Sequence, residues 1–200
     1  MGMIMSKLVY VSADWKEGDL HSSDKAVVDR IRKWRDDKRY GVKLKCTDEV
    51  HDSVTLKDDC RRCDIKCECG FQLIKSNLVI FVVGDKTGDK KAGPCDSKEC
   101  SPAYSWQQKE KCTHKYDNYA ESFSHGRTMS YLEYEMTTAA IYHKKVIVVF
   151  NSADNRNSWI PSWYDQLRSK YTFIEVARLP FWQDSKHTKD CYQLIKNYLE

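Results

Sequence analysis

The chain has 200 residues, of which 33 are lysine or arginine and 29 are aspartate or glutamate, giving a formal net charge of +4. These charges are mixed along the sequence rather than clustered in the basic stripe that is typical of nucleic-acid-binding proteins. No run of residues approaches the roughly 20 apolar residues of a membrane span, and the N-terminus lacks the pattern of a signal peptide. We therefore expect one cytoplasmic domain over residues 1–200, which binds neither nucleic acid nor membrane.

The predicted elements alternate between strand and helix along the chain. Strands are predicted at 7–11, 41–46, 78–83, 145–150 and 172–176, and helices at 23–34, 56–75, 130–144 and 186–199. The segment LVIFVV is an unbroken apolar run, as expected for a central parallel strand that is covered on both faces, and KVIVVF is predicted to be another buried strand. The order predicts an α/β fold with a central, mostly parallel five-stranded sheet and helices on both faces.

A segment from residue 85 to about 128 interrupts this alternation. It is rich in lysine, glycine, serine and tyrosine, has no clear period, and contains three of the nine cysteines of the chain. We interpret it as a Cys/Lys-rich insertion after the third strand. Without a secretory signal, an odd number of cysteines indicates free thiols or a metal site rather than disulfides.

The strand ends define where a ligand is expected. In open parallel sheets, ligands bind beyond the carboxyl ends of the strands, where the strand order reverses. This rule selects residues 12–15, 47–53, 84–87 and 151–152. The chain contains no G-x-G-x-x-G, P-loop or G-x-S-x-G motif, which argues against a Rossmann dinucleotide site, an NTPase and the usual serine hydrolase.

Two glutamates open the helix predicted at 130–144, and helix geometry separates their roles. Ser130 and Glu133 have the spacing of a capping box, which explains Glu133. Glu135 instead shares a helix face with the apolar residues Leu132, Met136 and Ala139. That face is expected to turn toward the sheet, so the carboxylate of Glu135 needs a functional reason. The alternative is a carboxylate that leans past the apolar stripe into water.

Three segments, LVYVSADW, LVIFVVGDKTG and SYLEYEMTTAAIYHKKVIVVF, together resemble the TIR-like proteins of bacterial defence, such as the NAD-processing proteins of the Thoeris anti-phage system. In that family an aromatic residue stands four positions before a glutamate that opens a helix, and a strand follows the helix. Tyr131 and Glu135 match this spacing, with tyrosine where tryptophan is commoner. The resemblance spans roughly residues 7 to 150 and implies a flavodoxin-like TIR fold.

The resemblance implies an enzyme that cleaves NAD, releases nicotinamide, and hydrolyses, cyclises or transfers the ADP-ribose. Nicotinamide leaves as a neutral ring, so the site needs mainly a carboxylate to stabilise the ribosyl cation, and Glu135 is carried over to that role. The family further implies self-association on activation and a separate effector protein that responds to the product. The expected substrate-binding residues are Ser12, Asp14, Trp15, Asp48, Gly84, Arg127, Tyr131 and Tyr134.

Two other functions remain open at this point. The first is a TIR-like module without catalytic activity, which binds a nucleotide or associates with copies of itself. The second is an enzyme of a different class, similar to nucleoside deoxyribosyltransferases, which uses a glutamate as the nucleophile. Release of nicotinamide from NAD separates the first of these from a glycohydrolase, and consumption of nucleosides identifies the second.

The cysteines allow two interpretations in each of two places. Between 60 and 74, an apolar helix stripe is formed by Cys60, Cys63, Cys67, Phe71 and Ile74. The alternative is a four-thiolate metal site that adds Cys69, which leaves this stripe. In the insertion, the residues that could hold a structural zinc ion are Cys95, Cys100, Cys112 and His114, with His125 as a rival ligand. The alternative there is a loop with free thiols.

Overall fold

The computed structural model describes residues 8–13, 23–37, 43–46, 69–85, 87, 129–181 and 185–199. The strands are β1 (Leu8–Ser12), β2 (Lys43–Cys46), β3 (Leu78–Val83), β4 (Lys145–Phe150) and β5 (Ile174–Pro180). The helices are α1 (Ser23–Asp36), α2 (69–75), α3 (Tyr131–Ile141), α4 (Ser162–Lys170) and α5 (Ser185–Leu199), with a 3-10 turn at Asn157–Trp159. Within these ranges no helix has both the length and the apolar character that crossing a membrane requires.

The strands form one sheet in the order β2-β1-β3-β4-β5, and every neighbouring pair is parallel. This order is that of flavodoxin-like doubly wound folds. The predicted α/β class with a parallel sheet is therefore confirmed. The chain passes from β1 outward to β2 and then returns to the other side of β1 to form β3. The strand order thus reverses between β1 and β3, and this is the position where such sheets bind ligands.

Helices cover both faces of the sheet because the side chains of each strand alternate between them. One face packs against α1 and α5 through a buried cluster that includes Val9, Val11, Val27, Ile31, Val82, Tyr192 and Ile195. The other face packs against α2, α3 and α4 through Tyr10, Leu73, Phe81, Met136, Val148, Tyr164 and Leu167. The predicted central strands at 78–83 and 145–150 are confirmed with the same bounds.

Two elements of the last third of the chain differ from prediction. β5 runs over Ile174–Pro180 rather than 172–176, because its pairing with β4 continues to the end of that strand, where Phe150 pairs with Pro180. Helix α4 was not predicted, since its buried side chains are confined to Tyr164 and Leu167. It is held in place by tertiary contact, in which the Tyr164 ring stacks on Phe81 at a centroid distance of 5.4 Å.

The cysteine stripe predicted for the second helix needs a correction. Within the part of α2 that the structure describes, the buried face consists of Cys69 and Leu73, which are both fully enclosed. Phe71 and Ile74, predicted to lie on the buried stripe, are only half-buried. Cys69 therefore does not leave the core-facing side of the helix but lies on it, because the sheet contacts α2 at positions four residues apart. The positions of Cys60, Cys63 and Cys67 lie outside the described residues.

Candidate active site at the strand ends

Helix α3 brings its first turns to the carboxyl edge of the sheet. It leads directly into β4, and a helix that connects parallel strands runs antiparallel to them, so its N-terminus lies at the ends of the strands. The Ser130 hydroxyl caps the helix by accepting a hydrogen bond from the backbone N–H of Glu133 at 3.1 Å. The predicted helix start is confirmed, and the helix ends at Ile141 rather than at 144.

Glu135 is a buried carboxylate that contacts the first strand. Its side chain is 1% exposed, and the predicted apolar residues of its helix face are buried with it. The Tyr10 hydroxyl donates to Glu135 Oε1 at 2.9 Å, and the Ser12 hydroxyl donates to Glu135 Oε2 at 2.5 Å. The alternative of a carboxylate that leans into water is therefore wrong.

The two hydroxyl donors make this burial possible. An ionised carboxylate inside a protein is costly unless hydrogen bonds replace the water that it loses. Each oxygen of the Glu135 carboxyl group accepts one of these bonds. Glu135 is thus an acidic group that the fold holds at one position beside the end of β1.

Tyr10 is missing from the predicted site residues, although the sequence contains a signal for it. Tyr10 and Ser12 are two positions apart on β1, and residues with this spacing face the same side of a sheet. A strand with two hydroxyl groups on one face can donate hydrogen bonds to a polar side chain on the helix that covers this face. Which helix residue accepts these bonds, Glu135, is decided only by the packing of α3 on β1.

The ends of β1 and β3 flank the position where the strand order reverses. Ser12 is the last residue of β1 and pairs with Phe81. Gly84 follows β3 and begins a tight turn, in which its N–H donates to Thr87 Oγ1 at 2.7 Å and its carbonyl accepts from Thr87 N–H at 3.2 Å. Two predicted substrate-binding residues, Ser12 and Gly84, therefore lie on neighbouring strands at this edge.

A second buried carboxylate, Asp24, lies at the same edge on the first turn of α1. It is 6% exposed and accepts a hydrogen bond from Asn151 Nδ2 at 2.8 Å. A Cβ at position 84 would lie 2.9 Å from Asp24 Cγ and closer still to Asp24 Oδ1, so only glycine fits there without movement of Asp24. The backbone N–H of Asn151 donates to the carbonyl of Val83 at 2.9 Å, which ties the end of β4 to that of β3.

The other predicted site residues are distributed as follows. Tyr131 is half-buried at the start of α3, and Tyr134 is buried on the same helix. The positions outside the described residues are Asp14, Trp15, Asp48, Arg127, Cys95, Cys100, Cys112 and His114. Among the residues that are described, no group of three or more histidine, cysteine or acidic side chains could hold a metal ion.

No protein-family model matches the chain, and no curated protein matches it significantly. The function proposed below therefore depends on the residues of the site, above all Glu135 and its two hydroxyl partners, and on the resemblance that three sequence segments carry.

Proposed function

We propose that the protein is a TIR-like NAD glycohydrolase or ADP-ribosyl cyclase, which releases nicotinamide and makes an ADP-ribose-derived signal in anti-phage defence. The observation that carries this proposal is the burial of Glu135 at the carboxyl edge of a parallel sheet. A carboxylate held by Tyr10 and Ser12 beside the strand-order reversal is a fixed negative charge where such sheets bind ligands. The TIR-like resemblance supplies the substrate class, NAD.

The chemistry suits a site with a single carboxylate. The bond between ribose C1′ and the nicotinamide nitrogen breaks, and its electron pair leaves with the nitrogen, which turns a cationic ring into a neutral one. The ribose then carries the positive charge, as in the oxocarbenium-like transition states of glycoside hydrolysis. At about 4 Å and an effective dielectric constant of about 20, a carboxylate stabilises such a cation by about 4 kcal/mol. Because the pyridinium ring already carries the positive charge in NAD, only the part of this energy that is new in the transition state raises the rate, by at most about a thousandfold.

In the second half of the reaction, a nucleophile forms a new bond to the ribose carbon C1′. Water attacks to give ADP-ribose and a proton, or a nucleophile of the same molecule attacks to give a cyclic product. A nucleophile from another molecule would give a conjugate. Glu135 stabilises the common cation in all three cases, so the carboxylate is required whichever product forms.

We assign the remaining predicted residues to NAD binding within this proposal. Ser12 and Gly84 are supported by their position on the two strands that flank the strand-order reversal. Tyr131 is supported by its place at the strand-end start of α3. Asp14, Trp15, Asp48, Arg127 and Tyr134 are assigned from the sequence pattern and the family resemblance.

The proposal includes a cellular setting and a metal. It places the protein in the cytoplasm, where it forms homo-oligomers on activation and a separate effector protein responds to its product.

A structural zinc ion bound by Cys95, Cys100, Cys112 and His114 would hold the insertion together. Metal analysis of the purified protein tests this point, and an absence of bound zinc would leave the insertion with free thiols.

Two other functions give the same carboxylate a different role. In a TIR-like module without activity, Glu135 would connect α3 to β1 by hydrogen bonds, a role that the bonds to both of its oxygens allow. In an enzyme similar to nucleoside deoxyribosyltransferases, Glu135 would attack C1′ of a nucleoside. The first predicts nucleotide binding or self-association without turnover of NAD, and the second predicts turnover of nucleosides but not of NAD.

Nicotinamide release from NAD tests the proposed function. Glu135→Gln keeps the shape of the side chain and removes its charge, so we expect a fall in kcat of about a hundredfold or more. The matched control is Glu133→Gln, two positions away on the same helix, where glutamine still fits the capping box. This control should retain the wild-type rate.

The possible results separate the candidates. Equal rates for wild-type and Glu135→Gln would contradict the role of Glu135. A wild-type protein that releases no nicotinamide, even as an oligomer and in extracts of phage-infected cells, would contradict the glycohydrolase and favour the module without activity. Cleavage of nucleosides with intact NAD would favour the transferase.

A further inference from the structure

Tyr10 lies deeper in the sheet than Ser12. Residues two positions apart on a strand face the same side and are separated by about 7 Å along it. β1 ends at Ser12, and both residues are 0% exposed, but the Tyr10 ring belongs to the buried apolar cluster around Phe81. The carboxylate of Glu135 is therefore reached by one hydroxyl from the core and by another from the strand end.

The two donors bind different oxygens of Glu135. Tyr10 donates to Oε1 and Ser12 to Oε2. The last torsion of a glutamate side chain is broad, so a carboxylate without such anchors samples many orientations. Two donors on one strand hold its plane, since Oε1 is bound by the residue inside the strand and Oε2 by the last residue of the strand. The strand end is the side on which such sheets bind ligands.

We propose that Tyr10 is a positioning residue for Glu135. This inference rests on the function proposed above. The Tyr10 hydroxyl holds Oε1 and so directs Oε2 toward the place where the ribosyl cation forms, while the Tyr10 ring stays in the core and does not contact NAD. The charge is then oriented before the substrate arrives, which is the condition under which electrostatic stabilisation is most effective.

A purely structural hydrogen bond of the same kind exists elsewhere in the protein and serves as a reference. The Tyr164 hydroxyl donates to Glu175 Oε2 at 2.9 Å, the same length as the bond from Tyr10 to Glu135. Tyr164 is also 0% exposed and lies on the same face of the sheet. Its partner Glu175 is on β5 and is bound by Arg178 Nε at 2.6 Å. Loss of either tyrosine hydroxyl removes one tyrosine–glutamate bond from the core, but only Tyr10 contacts Glu135.

The test compares Tyr10→Phe with Tyr164→Phe in steady-state nicotinamide release, with the melting temperature of each variant measured in parallel. Both should melt about 3–12 °C below wild-type, because each loses one hydrogen bond to a carboxylate. Tyr10→Phe should lower kcat by about 10- to 100-fold and leave KM unchanged, since a misdirected charge affects the transition state and not NAD binding. Tyr164→Phe should keep the wild-type kcat and KM.

Each result has a distinct meaning. If Tyr10→Phe keeps the wild-type kcat while Glu135→Gln is inactive, the positioning role is overturned and the proposed function stands. The same holds if Tyr10→Phe changes KM alone, or lowers kcat only as much as Tyr164→Phe does. If the wild-type protein releases no nicotinamide, both are overturned.

A second experiment tests the same role if the Tyr10→Phe variant does not fold. In this experiment 3-fluorotyrosine replaces Tyr10, which keeps the ring and the hydroxyl and makes the hydroxyl a stronger donor. A changed kcat at constant KM supports the positioning role, and an unchanged kcat overturns it.

Discussion

The carboxylate of Asp24 occupies the space into which a side chain at position 84 would project. Asp24 belongs to the first turn of α1, and Gly84 follows the last residue of β3, so this contact joins a helix to the neighbouring end of the sheet. The carboxylate also accepts a hydrogen bond from Asn151, which follows β4. Three elements therefore meet at the edge where Ser12 ends β1.

A side chain at position 84 should be costly for this reason. We expect Gly84→Ala to lower the free energy of unfolding by about 1–3 kcal/mol, because Asp24 must move and lose its bond from Asn151. The double variant Asp24→Ala with Gly84→Ala should lose less than the sum of the single variants, since the first substitution removes the atoms that the second one meets. Urea denaturation of the four proteins measures this difference, and additive losses would contradict the contact.

Ser12 should contribute to the reaction of the proposed function. We expect Ser12→Ala to lower the rate of nicotinamide release by about 10- to 100-fold, because a hydrogen bond to a charged group contributes about 1.5–3 kcal/mol. The control is Ser169→Ala, an exposed serine on α4 that bonds only to carbonyls of its own helix among the contacts described for it. A Ser12→Ala variant that releases nicotinamide at the wild-type rate would contradict a role of Ser12 in the reaction.

The backbone conformation just after the end of α3 is one that favours glycine, although histidine occupies the position. His143 has a φ of 50°, and the backbone N–H groups of His143 and Lys144 bond to the carbonyls of Ala140 and Ala139. This is a Schellman motif, whose left-handed position glycine adopts without strain. We expect His143→Gly to raise the free energy of unfolding by about 0.5–1 kcal/mol. His143→Ala keeps the Cβ and should give no gain, and an equal gain from both would contradict a backbone origin.

Cys191 should make stability depend on pH in the alkaline range. Burial raises the pKa of the Cys191 thiol from 9.0 to about 12, so the folded protein favours the neutral thiol. This contribution is fully present below about pH 9, the pKa of an unfolded thiol, and is lost as pH rises toward 12. Its slope is at most about 1.4 kcal/mol per pH unit.

The variant Cys191→Ala lacks this ionisation. Its deficit in unfolding free energy relative to wild-type should therefore shrink as pH increases from about 9 to 11. Thermal or urea unfolding at several pH values measures the deficit, with Cys191→Val as a second variant that cannot ionise. A deficit that stays constant with pH for both would show that the folded thiol has an ordinary pKa.

Local patterns in the sequence were sufficient for the elements that carry the site. The strands at Leu78–Val83 and Lys145–Phe150 were predicted with their observed bounds, because the first is an unbroken apolar run and the second is apolar after its opening lysine. Ser130 was predicted to cap α3, because capping depends on groups three residues apart. The helix face of Glu135 was predicted from its spacing to Met136, and burial of its carboxylate was one of the two alternatives that this spacing left open.

Tertiary contacts decided what surrounds that carboxylate. Tyr10 and Glu135 are 125 residues apart, and Asn151 and Asp24 are 127 apart, so no local pattern pairs them. Their meeting depends on the order β2-β1-β3-β4-β5 and on the packing of α3 over β1. The sequence by itself thus placed Glu135 on the helix face that meets the sheet, and the structure decided that its carboxylate is buried there. Only the packed structure determined which hydroxyls bind this carboxylate and that position 84 requires glycine, because packing brings distant strands and helices together.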